Sequence, residues 1–306
     1  MSTEREILKT VTELPLPELF SISNRLREEY RGDGVDLCAI VNAKSGRCSE
    51  DCHYCAQSVR YQTGIKTYPL LSDEEILNRA VEAREAGARR FCIVTSGKKP
   101  SKEELKRIGH LVSKIRDTGL LPCSTLGLLS EDEIAFLKDS GLERYHHNLE
   151  TSESFFPSIC TTHSYQDKLR TIESVKKLGL SLCSGGIFGL GETWHDRLEM
   201  ALLLKKLDPD SVPINFLIPI EGTPLGGRES LSPVEALRIV ALYRIVLENK
   251  EIRLCGGRHQ TLGEFNAMVF MAGVDGLLIG NYLTRKGRSL EDDLNLIRES
   301  GLRVIP

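Results

Sequence analysis

Three cysteines fall within eight residues of one polar run, Gly46-Arg-Cys48-Ser-Glu-Asp-Cys52-His-Tyr-Cys55-Ala-Gln-Ser58. The spacing is C-x₃-C-x₂-C, with no fourth cysteine nearby. Three thiolates on a short loop can hold three corners of a [4Fe–4S] cubane, a cluster that otherwise takes four thiolates. The fourth iron is then left for an outside ligand, as a catalytic zinc keeps one position open. A zinc site would want a fourth protein ligand, and the nearest, His53, adjoins Cys52 and has poor geometry for the same ion. Structural cysteines behave as small buried hydrophobes, which does not suit a loop rich in Gly, Ser, Asp and Glu.

The other cysteines are placed differently. Cys92, Cys123, Cys183 and Cys255 each fall in a separate strand-like segment. Cys38, in an apolar run, reads as ordinary core, and Cys160 has no evident role. Nine cysteines is an odd count. No disulfide framework is expected, and reduced thiols in a cytoplasmic compartment are. Met1–Thr10 is charged and lacks an apolar core, so no secretory signal is expected. No apolar run is long enough for a membrane span. Lys+Arg 40 against Asp+Glu 43 give a net charge of −3 over 306 residues, which carries no basic footprint for nucleic acid.

The elements that must position these groups are legible in outline. Strand-like runs cover Val35–Val41, Arg90–Thr95, Leu121–Leu126, Arg144–Leu149, Ser181–Phe188, Val212–Leu217, Ile252–Cys255 and Gly276–Ile279. Helical patterns alternate with them. Ser72, Ser101 and Ser130 each precede acidic first turns, a helix-start signal. Further helices are expected over Tyr165–Lys177, Thr193–Leu207, Pro233–Leu247, Leu262–Met271 and Leu290–Ser300. Strands alternating with helices predict an α/β fold, a (β/α)₈ TIM-type barrel. An open doubly wound sheet is the alternative, weakened because no G-x-G-x-x-G follows the first strand. Residues 1–34 read as an N-terminal helical extension and residues 35–306 as a single barrel domain.

With these residues in view, the cysteine loop resembles that of the radical S-adenosylmethionine (SAM) enzymes. In that family SAM chelates the open iron of the cluster held here by Cys48, Cys52 and Cys55, and Tyr54 matches the aromatic residue that lies against adenine. The resemblance narrows to the biotin synthase family. Gly46 to Tyr68, Arg90-Phe-Cys92, Cys123-Ser-Thr-Leu-Gly127, Tyr145-His-His-Asn-Leu-Glu-Thr-Ser152, Cys183 to Glu192, Val212-Pro-Ile-Asn215 and Glu221-Gly-Thr-Pro-Leu225 follow in the family's order. That likeness implies sulfur insertion into dethiobiotin, the last step of biotin synthesis. Acid–base groups cannot open unactivated C–H bonds, so a cofactor must. It also implies a second, auxiliary Fe–S cluster as sulfur source, held by Cys92, Cys123 and Cys183 with Arg258 as a guanidinium ligand. SAM contacts carried over are Tyr54, Asn148, Glu150, Gly186, Ile187 and Gly189. Substrate contacts are His146, Asn148, Glu150 and Asn215, with Arg90 nearby. A flavodoxin or ferredoxin reductant and a homodimer are further implications.

One departure bears on the auxiliary cluster. Cys255 stands where better-known members carry a small residue such as Ser or Ala. Three thiolates and an arginine suit [2Fe–2S], whereas four thiolates suit a four-iron cluster. Glu150 and His146 also replace the more common Asp and Asn. Rival readings are a radical SAM enzyme of the hydrogenase-maturation, methylornithine synthase or tyrosine lyase type, or an Fe–S protein without catalysis. Those enzymes lack the Cys92/Cys123/Cys183/Arg258 set as a group, and a mere cluster carrier has no use for Asn148, Glu150 and Asn215.

Overall fold

The computed structural model describes residues 3–284 and 287–305. Its centre is a closed parallel barrel whose strands are β1 (Gly34–Lys44), β2 (Arg90–Thr95), β3 (Leu121–Thr125), β4 (Arg144–His146), β5 (Ser181–Cys183), β6 (Gly186–Phe188), β7 (Ser211–Phe216), β8 (Glu251–Leu254) and β9 (Gly276–Leu278). β5 and β6 both pair with β7 and together form one stave. Asp36 of β1 pairs with Gly276 of β9, which closes the ring. This is the (β/α)₈ TIM-type architecture expected from the alternation. The short β10 (Arg303–Val304) pairs with the first residues of β1 and had no signal in the sequence.

Helices cover the barrel outside: α1 (Glu4–Glu13), α2 (Leu16–Arg31), α3 (Asp73–Glu85), α4 (Lys102–Asp117), α5 (Glu131–Asp139), α6 (Tyr165–Lys177), α7 (Trp194–Leu207), α8 (Pro233–Leu247), α9 (Arg258–Leu262) and α10 (Leu290–Glu299). Capping boxes open α4, α5, α6 and α7 at Ser101, Ser130, Ser164 and Thr193. Each ties the first turn's free N–H groups to a side chain. The expected helix over Leu262–Met271 is instead α9 followed by a 3₁₀ segment, Gly263–Met268. Arg238 of α8 donates to the Val11 and Leu14 carbonyls, which fastens the N-terminal helices to the barrel's outer layer. Among the described residues no helix is long and apolar enough to cross a membrane.

Strand residues alternate between two environments, as the pleat requires. Leu37, Phe91, Ile93, Tyr145, Val212, Ile214, Ile252 and Leu254 face the helices and are buried there. Inward residues in a typical barrel are branched aliphatics that fill the interior. Here they are largely arginines, thiols and amides, and they leave a cavity of about 340 Å³.

Candidate active site

Inward residues form successive layers along the barrel axis. Arg90 and Arg144 open β2 and β4, and Arg253 is the third residue of β8; all three are buried. Next come Cys92, Cys123, Cys183 and Cys255, likewise buried, which line the same cavity. Cys38 lines it too, so its place is the cavity wall rather than the aliphatic core. Burial pushes the Cys183 thiol up to about 11 and that of Cys255 to about 12, against the pull of Arg144 and Arg253 on the first and Arg253 on the second. Such thiols stay protonated until a metal displaces the proton.

The arginines are not equivalent. Arg253 is ion-paired with Asp36 and Glu251 and donates from Nη1 to the Asp36 and Leu277 carbonyls, both at 3.0 Å. Burial would raise the Glu251 carboxyl, but Arg253 and Arg144 outweigh it and hold that group well below the usual range. Arg90 is different: its Nε and Nη1 are buried without a hydrogen-bond partner among the described residues. Buried donors are almost always satisfied, so two unpartnered guanidinium nitrogens on the wall of the thiol-lined cavity fit an anionic group there. Arg258 is not among the residues that line the cavity, although its Nε is also buried without a partner among the described residues and its charge acts on Cys255. It starts α9 and its guanidinium makes two bonds to the buried Asp293 of α10, 2.9 and 2.7 Å long. The cavity-lining guanidinium of this segment is Arg253.

Above the thiols runs a hydrogen-bonded chain. Thr125 Oγ1 lies 3.4 Å from Cys92 Sγ and 2.7 Å from His146 Nδ1. His146 Nε2 lies 2.9 Å from Asn148 Oδ1, and Asn148 Nδ2 donates to Glu150 Oε2 at 3.3 Å. One assignment satisfies every partner: Thr125 donates to Nδ1, and the Nε2–H donates to Asn148. Burial lowers the His146 pKa to about 4, so the ring is neutral. The regular strand ends at His146, short of the span expected to Leu149. Even so, His146, Asn148 and Glu150 all line the cavity. Glu150 sits at φ 75, a conformation disfavoured for residues with a Cβ. Burial raises its carboxyl, with Lys168 opposing from 3.9 Å.

Asn215 also lines the cavity. Its Nδ2 donates to the Gly186 carbonyl at 3.1 Å and its Oδ1 accepts from Gly256 N at 2.9 Å. One N–H and one lone pair remain free for a ligand. Gly186 is required where it stands, because a Cβ would lie 2.5 Å from the Glu150 carbonyl. Ile187 reaches the cavity. Gly189 does not, since its N–H is taken by the buried Glu192.

The cysteine loop lies at the C-terminal mouth, where barrel enzymes place their sites. Cys48, Cys52 and Cys55 are each half-buried, and Tyr54 enters the cavity beside Glu150. The loop is pinned on both sides. Cys48 N donates to the Gln57 carbonyl at 3.0 Å, and Ser58 Oγ to the Glu50 carbonyl at 2.5 Å. Across the mouth, Asp51 accepts from Thr161 N and Thr162 N at 2.9 and 3.2 Å. These bonds fix the backbone that carries the three thiols, and three thiols on one loop are a donor set that fits a cubane.

Sequence reasoning missed several residues. Arg144 and Arg253 carried no motif, but both sit two places before an inward residue on a strand, and that parity was available. Lys168 on α6, whose Nζ donates to the Asn148 carbonyl at 3.1 Å, left no local trace. Cys160-Thr-Thr-His163 offered a C-x₂-H spacing, and the structure brings both side chains to Cys52.

Residues 43–204 match the Radical SAM superfamily, and residues 213–303 match the Biotin and Thiamin Synthesis associated domain. The biotin synthase of Thermodesulfovibrio yellowstonii is 56% identical over 282 residues, covering 92% of this chain and 89% of that protein. That of Thermotoga neapolitana is 53% identical over 269 residues, 87% of this chain and 96% of the other. Among solved structures, a methylornithine synthase superposes with a TM-score of 0.86 at 20% identity, over 99% of this chain and 94% of that one. An FeFe-hydrogenase maturase from Carboxydothermus hydrogenoformans gives 0.83 at 19% identity, over 99% and 76%. These structures share the fold.

Proposed function

The chain belongs to the biotin synthase family of radical SAM enzymes, and from that premise we propose how its own residues perform sulfur insertion into dethiobiotin. When bound, the two clusters and SAM supply the electron, the abstraction of hydrogen from unactivated carbon, and the sulfur atom. Cys48, Cys52 and Cys55 hold the [4Fe–4S] cluster at the mouth. Tyr54 and Ile187 would flank SAM, with Glu150 accepting from its ribose hydroxyls and the remaining Asn148 Nδ2–H donating to them. His146, Asn148 and the free amide face of Asn215 bind the ureido ring. The neutral His146 ring neither gives nor takes a proton at working pH. It fixes Asn148, whose amide then presents one orientation to the ligand.

The observation that carries this reading is one cavity with a thiol layer at its floor and the Cys48/Cys52/Cys55 loop at its mouth. Dethiobiotin between them would meet hydrogen abstraction from above and a sulfur source from below. For the auxiliary cluster we propose Cys92, Cys123, Cys183 and Cys255 as ligands and a four-iron cluster. A guanidinium must lose a proton to ligate, and Arg253 is fixed as a cation by Asp36 and Glu251. Thiolate is the softer ligand and iron's better partner. Arg90 then donates its free N–H groups to the anionic cluster.

The test is a single turnover of the reconstituted protein with SAM, dethiobiotin and a low-potential reductant. The expected products are biotin, methionine and 5′-deoxyadenosine, with ³⁴S label in the auxiliary cluster appearing in biotin. SAM cleavage without any biotin overturns the substrate assignment. Flavodoxin or ferredoxin as the physiological reductant, and a homodimer, rest on the family resemblance. Reduction kinetics and light scattering test them.

A further inference from the structure

Beside the mouth lies a second set of metal-binding groups. Cys52 Sγ lies 3.8 Å from Cys160 Sγ. Cys160 Sγ in turn is 3.3 Å from Nδ1 and 3.8 Å from Nε2 of His163. One donor atom from each of the three residues lies within 4.8 Å of the others. A tetrahedral ion with metal–sulfur bonds of about 2.3 Å and a metal–nitrogen bond of about 2.0 Å sets its sulfurs about 3.8 Å apart and sulfur and nitrogen about 3.6 Å apart. The Cys52–Cys160 and Cys160–His163 pairs already stand near those separations, and Cys52 and His163 lie within 4.8 Å of each other. Glu50 Oε2 lies 2.7 Å from His163 Nδ1. A carboxylate there takes the Nδ1–H and leaves the Nε2 lone pair for a metal, the usual arrangement behind a ligating histidine.

We infer that Cys52, Cys160 and His163, oriented by Glu50, form a binding site for a single divalent first-row cation in the cluster-free chain. Binding displaces the two thiol protons to solvent and leaves a fourth position for water. The site shares Cys52 with the cubane, so the two occupancies exclude each other. Fe²⁺ held there stands at the edge of the loop where the cluster is built, and Zn²⁺ held there blocks the build by withholding Cys52. Cys160 buries its sulfur against Cys52 and Asp51, which fixes it in place before any metal arrives. This site lies outside the sulfur-insertion reading and does not depend on it.

The experiment is an anaerobic Co²⁺ titration of the full-length, cluster-free protein, read in the visible and near-ultraviolet. Occupancy is expected to give tetrahedral ligand-field bands and a thiolate-to-cobalt charge-transfer band. Cys160→Ser and His163→Gln should each remove that component in difference spectra against the parent. Glu50→Gln, which deletes no ligand, should weaken it by about 10–100-fold. Cys48→Ser and Cys55→Ser should keep it, which separates this site from the cubane triplet and from the barrel-floor thiols. Binding unchanged in Cys160→Ser and His163→Gln, or lost in Cys48→Ser, overturns the inference. Either result leaves the turnover experiment above untouched.

Discussion

His146 shows how one buried side chain ties the site to pH. Its pKa is about 4, lowered by burial and by the facing Lys168 and Arg144, with Asn148 opposing. The unfolded chain's histidine titrates near 6.5. Between those values the unfolded state binds the extra proton, so stability is complete above about 6.5 and is lost as pH falls toward 4. Solvent in the cavity screens part of the effect, leaving about 1–2 kcal/mol. His146→Asn, which keeps a polar partner for Asn148, should flatten the melting temperature of the cluster-free protein against pH across that window. A parallel curve would place the neutral ring elsewhere in the energetics. Asn215 makes a different residue-level case. Asn215→Ala removes the free amide face and should weaken dethiobiotin binding by about 1–3 kcal/mol, while SAM cleavage without substrate persists. Unchanged affinity by calorimetry would remove Asn215 from the substrate site.

At the scale of elements, periodicity located every stave of the barrel, because inward and outward residues on a strand face different surroundings and the pattern records it. What the pattern did not resolve was which residues after β8 still belong to it. Arg253 and Cys255 keep the inward parity, and then Gly256-Gly257 breaks it. Gly257 has φ 78, and a Cβ there would lie 2.1 Å from the Phe216 carbonyl. The chain therefore turns, and Arg258 starts α9 with its guanidinium bonded to Asp293. Family likeness points to Arg258 as the guanidinium ligand, and strand parity adds Arg253 to the cavity wall. Cys160 and His163 showed a C-x₂-H spacing but not what it meets. Their partner Cys52 lies more than a hundred residues away, and no local spacing encodes that approach. The Arg258–Asp293 pair is fully buried, at 0% and 1% side-chain exposure. Asp293→Ala leaves an unpaired buried guanidinium and should destabilise the fold by about 3–5 kcal/mol. Iron bound at the barrel floor should be unchanged in protein that remains folded. Loss of floor iron in parallel with that melting shift would return Arg258 to the auxiliary site.

For the whole molecule, the proposed reading puts two iron sites at opposite ends of one barrel, each with its own ligands and its own supporting hydrogen bonds. The mouth depends on a loop pinned by Asp51 and Thr161-Thr162, and the floor on rigid strands backed by three arginines and two carboxylates. Nothing in the ligand sets is shared, so each site should fail alone. Cys52→Ala should abolish SAM cleavage and biotin formation while the floor keeps its iron, since a cubane with two remaining thiolates loses its anchoring. Cys255→Ser should do the reverse: SAM is still cleaved, but iron falls and biotin yield drops. With four floor thiolates the intact protein holds about eight irons per chain, against about six for a three-thiolate [2Fe–2S] floor. Mössbauer spectra with iron and sulfide analysis read that difference directly. One [4Fe–4S] and one [2Fe–2S] in the parent, together with full activity in Cys255→Ser, would make Cys255 a bystander and return the floor to three thiolates with Arg258 as the fourth partner.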